Sequence, residues 1–64
     1  MNKTQKKILG YLRTQKKPID YYQLIAAGIA SLNTLDKNFS KLVDAGHVVI
    51  IDTETGAKIK VWTP

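Results

Sequence analysis

The chain has 64 residues, a net charge of +5 from ten Lys/Arg against five Asp/Glu, one histidine and no cysteine. Such a length supports one domain around a small core that buries only about 60% of the surface its unfolded chain exposes, and without cysteine neither a disulfide nor a thiolate metal centre can reinforce it. No apolar run approaches the ~18 residues that cross a bilayer, no export signal follows the basic N-terminus, and the cytoplasm is the expected compartment.

The first predicted helix runs from Asn2 to Gln15. Asn2 with Gln5 three residues on is a capping-box pattern, and Ile8, Leu9 and Leu12 form a narrow apolar stripe flanked by Tyr11. Gly10 inside it costs about 1 kcal/mol relative to alanine. Lys16-Lys17-Pro18 ends the element, because a residue before proline is pushed out of the helical region. Residues 1–17 hold six cations (Lys3, Lys6, Lys7, Arg13, Lys16, Lys17) and no acid. That pattern serves either as a solvated face or as an electrostatic footprint for a polyanion.

A second helix is predicted from Tyr21 to about Ala27. Asp20 and Gln23 have capping-box spacing, Ile19 and Leu24 that of a hydrophobic staple, and Gly28 suits the left-handed residue that ends a helix. Ile19 also suits a strand of one or two residues. The third helix is expected over about 31–45. Leu32, Leu35, Phe39, Leu42 and Val43 fall in one sector, with Asn33, Thr34, Lys37, Ser40, Lys41 and Asp44 opposite, and Gly46 sits at the cap.

His47 to Asp52 is rich in β-branched residues and reads as a strand. Thr53 to Gly56 forms the turn, with Gly56 at positive φ. Ala57 to Thr63 then alternates, Ile59 and Val61 facing one way and Lys58, Lys60 and Trp62 the other. The expected core is Ile8, Leu9, Leu12, Leu24, Leu35, Phe39, Leu42, Val48, Ile50, Ile59 and Val61.

In this order of elements, and in the segment LIAAGIASLNTLDKNFSKLVDAGHVVI, the chain resembles the winged helix-turn-helix family, in particular small regulator domains of the MarR or ArsR type. The passage LVDAGHV at 42–48 is similar to the family's route from recognition helix into wing. The resemblance implies an α+β fold: a three-helix winged helix-turn-helix domain spanning 1–64, with a C-terminal two-stranded β-hairpin wing and a short third strand near Ile19. Departures are Gly28, one position earlier than the glycine usual in the turn, His47 in place of leucine or tyrosine, and the absence of long dimerisation helices.

The family's use of its third helix implies double-stranded DNA as partner, read in the major groove by a small transcriptional regulator without a cofactor. Asn33, Thr34 and Lys37 then lie nearest the bases, Lys41 meets a phosphate, and Asn38 at the edge of the face does either. Lys58 and Lys60 are read as backbone contacts of the wing or as protection of an edge strand. Asp52 and Glu54 near the tip argue against its deep insertion into a minor groove. Trp62 is expected to cover the end of the core, and Tyr21 and Tyr22 either meet a phosphate or pack.

Enzyme activity is not expected. Ser40, Asp44 and His47 are close in sequence, but no pocket can be argued around them. The competing expectation is an adaptor that binds a protein partner with little or no DNA binding, drawing on the missing dimerisation element and on Tyr11 or Trp62 as interface anchors. A weak homodimer on DNA belongs to the first expectation, since monomeric groove readers gain affinity from a second half-site.

Overall fold

A computed structural model describes residues 1–54 and 56–61. It is an α+β arrangement in the order α1 (Lys3–Arg13), α2 (Tyr21–Ala26), α3 (Leu32–Asp44), β1 (Val48–Thr53) and β2 (Gly56–Val61). The expectations for Trp62 and for the end of the last strand lie outside the described residues.

Helix α1 starts as its capping box dictates. The Asn2 side chain accepts from the Gln5 N–H at 2.8 Å, and the Gln5 side chain accepts from the Asn2 N–H at 3.2 Å. The helix ends two residues before Gln15, because Thr14 and Gln15 donate to Tyr11 and Leu12, three residues back, which tightens the last turn out of α geometry.

Before α2 the expected Asp20 capping box is absent: Asp20 caps with its backbone only, and its carboxylate is engaged elsewhere. Helix α3 ends in a complete Schellman motif, with the Gly46 N–H on the Val43 carbonyl at 3.0 Å and the His47 N–H on the Leu42 carbonyl at 2.9 Å. The motif requires a left-handed residue, and Gly46 supplies it at φ 80°. Helix α3 is thereby delivered into β1 within three residues.

Strands β1 and β2 pair antiparallel in the register Val48↔Val61 through Thr53↔Gly56. The expected third strand is one bridge: Ile19 and Ile59 exchange both backbone bonds, at 3.0 and 2.8 Å. Ile19 is accordingly buried, which the expected core omitted.

The core joins Ile8, Leu9 and Leu12 of α1, Ile19, Leu24 of α2, Leu35, Phe39 and Leu42 of α3, and Val48 and Ile59 of the hairpin. Tyr21 meets Phe39 edge-on, with ring centroids 5.1 Å apart. Val61 is only partly buried.

Ile50 departs from the expected core, being 51% exposed. Its parity puts it on the face of Val48, opposite buried Ile59, but β1 is the strand away from the Ile19 bridge, and there Ile50 borders a cleft rather than the interior. Leu32 is 53% exposed, because the first residue of α3 projects before the helix has settled against the core.

Candidate nucleic-acid interface

The outer face of α3 is built by the same periodicity that buries Leu35, Phe39 and Leu42. At 3.6 residues per turn, Asn33, Lys37, Ser40 and Asp44 share one stripe, with Thr34 and Lys41 on one flank and Asp36 on the other. All seven side chains are exposed. Lys37 and Lys41 lie one turn apart, and among the described residues neither is in an ion pair. Thr34 is partly engaged, its hydroxyl accepting from Ser31 Oγ at 3.0 Å.

Asn38 corrects the sequence reading. It is buried, 8% exposed, and its amide makes three hydrogen bonds. Nδ2 donates to the Thr34 carbonyl at 2.8 Å, while Oδ1 accepts from Asn2 Nδ2 at 2.7 Å and from Gln5 Nε2 at 3.2 Å. The capping box of α1 therefore continues into α3. An asparagine with two hydrogen bonds across a helix pair and a third within its own helix is a structural fastener, and its burial keeps it from a base or a phosphate.

Lys58 corrects it a second time. Its ammonium donates to Asp20 Oδ1 at 2.7 Å, and the pair is partly shielded, with side chains 24% and 49% exposed. The cause is register. Once Ile19 pairs antiparallel with Ile59, Asp20 falls opposite Lys58 on the same face. This pair was legible in the sequence had the register been worked out.

Lys60 is exposed and among the described residues is in no ion pair, but the structure does not bring it beside α3. It borders the end of α1 with Arg13, Lys16 and Lys17. Of the seven site residues read from sequence, Asn33, Thr34, Lys37 and Lys41 form one surface. Asn38, Lys58 and Lys60 do not join it.

Between α3 and the hairpin lies a cleft of about 300 Å³ lined by Tyr21, Asp36, Phe39, Ser40, Ile50, Ala57 and Ile59. The Tyr21 hydroxyl donates to Asp36 Oδ1 across its rim. Burial, then this bond and the Asp36 charge, push the Tyr21 phenol well above its usual range. The hairpin flank of α3 is thus apolar and acidic, and its cations lie on the central stripe and the far flank.

Ser40, Asp44 and His47 form no hydrogen bond with one another among the described residues, all three being exposed. No described helix is long and apolar enough to cross a membrane. Compared with models of protein families, with curated proteins and with solved structures, the chain gives no match.

Proposed function

We propose that the chain is a winged helix-turn-helix protein that binds double-stranded DNA, with α3 as its recognition helix and the β1–β2 hairpin as its wing. The observation that carries this reading is the exposed stripe of Asn33, Lys37 and Lys41 on α3, whose side chains have no hydrogen-bond or ion-pair partner among the described residues, on a helix that the Gly46 cap leads straight into the hairpin. Asparagine suits adenine, lysine suits guanine or phosphate, and a helix of this width enters a major groove. The basic segment 1–17 supplies flanking attraction. The target role is a small transcriptional regulator acting in the cytoplasm, with one copy reading about one half-site and a weak dimer forming on DNA.

With Lys58 held by Asp20, about three to five phosphates remain to be neutralised, so the log–log slope of affinity against salt should lie near −3 to −4.5. The test is a salt titration of duplex binding by the wild type and by Lys37→Ala and Lys41→Ala variants. Each substitution should flatten the slope by about one unit, and Lys37→Ala should also relax sequence preference. Binding insensitive to both variants refutes the assignment of this face.

The exposed Ile50 beside the cleft and the exposed Leu32 at the start of α3 favour a second reading, a protein-interaction adaptor that uses the same side of the molecule.

A further inference from the structure

A groove of about 580 Å³ opens between the end of α1, the loop that follows it and β2, within the range of about 300–1,000 Å³ common to ligand sites. Arg13, Lys16, Lys17 and Lys60 border it, and among the described residues no carboxylate does. All four cations are exposed, and among the described residues none is in an ion pair. The floor is apolar, formed by buried Leu12 and Ile59 and by partly buried Pro18 and Val61.

The groove also holds a piece of open sheet edge. Ile59 spends its backbone groups on Ile19, so they point away from β1. Backbone direction repeats every second residue in an antiparallel ladder, which turns the N–H and C=O of Val61 to that same edge. Among the described residues, nothing bonds them there.

This surface is separate from the face of α3. No α3 side chain lines the groove.

We propose that the groove docks an acidic peptide segment carrying an apolar side chain, supplied by a protein partner. Its carboxylates meet the four cations and its apolar side chain meets the floor. Its extended backbone adds to the edge of β2 at Val61, the way peptides gain affinity from exposed strands. A nucleic-acid backbone would satisfy the cations but leave the apolar floor and the strand edge unmatched.

The test is fluorescence anisotropy at low salt with the whole chain and three labelled probes: the peptide EELEEL, its counterpart EESEES, and a short random-sequence duplex. EELEEL should bind saturably and more tightly than EESEES. A Lys16→Glu/Lys17→Glu double variant should weaken EELEEL about tenfold or more, since like charges then line one wall, and Lys60→Glu on the opposite wall gives an independent repeat. Lys37→Glu on α3 should leave EELEEL unchanged while weakening the duplex. The proposal is overturned by absent or non-saturable EELEEL binding, by equal binding of the two peptides, or by equal sensitivity to Lys37→Glu. It is also overturned if the duplex displaces EELEEL and shows the same loss in the groove variants, which would make the groove a DNA contact.

Discussion

Replacing Asn38 by alanine separates a fastener from a contact. The change removes three side-chain hydrogen bonds, to Thr34, Asn2 and Gln5, which at a net ~1 kcal/mol each amounts to about 3 kcal/mol. Two effects reduce that figure. Asn2 is exposed and Gln5 half-buried, so both amides regain water, and alanine is the better helix former by up to ~0.7 kcal/mol. The expected loss is about 1–2 kcal/mol, a large share of the roughly 3–10 kcal/mol available to a chain of this length. Thermal unfolding followed by circular dichroism should show a midpoint lowered by about 5–15 °C. A double-mutant cycle with Asn2→Ala should return a coupling of about 0.5–1.5 kcal/mol. Duplex affinity, measured where both proteins are folded, should be unchanged. An Asn38→Ala protein that melts like the wild type yet loses DNA affinity would refute the burial argument and restore Asn38 to the binding face.

Asp20→Asn keeps a good N-cap residue but releases Lys58, so duplex affinity should rise and the salt slope steepen by about one unit, at a stability cost below about 1 kcal/mol; a Lys58→Ala variant that flattens the slope of the wild type by a full unit would show that the pair does not hold in solution. Gly10→Ala should stabilise by about 0.5–1 kcal/mol in urea melts, because an added Cβ meets nothing within 4 Å, whereas Gly46→Ala at φ 80° should destabilise by about 1 kcal/mol or more. The raised Tyr21 pKa means that the folded state holds the phenolic proton more tightly. Its contribution is therefore present below about pH 10 and fades as pH rises towards the folded value. Urea midpoints compared between about pH 9 and 11 should fall in the wild type and fall less in Tyr21→Phe.

Local patterns that act within a few residues were legible in the sequence. The Asn2–Gln5 box, the amphipathic α3 with its Gly46 cap, and the antiparallel hairpin all depend on short-range spacing and hydrogen bonding. The bridge at Ile19 was legible because a lone apolar residue between proline and a helix start has few other uses. What escaped was decided by register and by contacts between distant segments. Periodicity alone puts Asn38 at the edge of a polar face, and only the approach of the α1 N-terminus makes that edge an interior. Parity alone makes Lys58 and Lys60 equivalent, and only Asp20 opposite one of them distinguishes the two. Ile50 has the parity of a core residue and stands opposite buried Ile59, but on the strand away from the Ile19 bridge, where it borders a cleft. The basic groove joins residues of the 13–18 stretch to Lys60, more than forty positions apart in the chain, and no spacing rule connects them.

The most direct test of DNA binding through α3 is a backbone-amide chemical-shift map of the isotopically labelled chain on adding a short random-sequence duplex at low salt. The account predicts the largest shifts at Asn33, Lys37 and Lys41 and their neighbours on the outer face, with the side-chain amide of Asn38 unmoved. Shifts confined to residues 1–17, or no shifts at all, would contradict it.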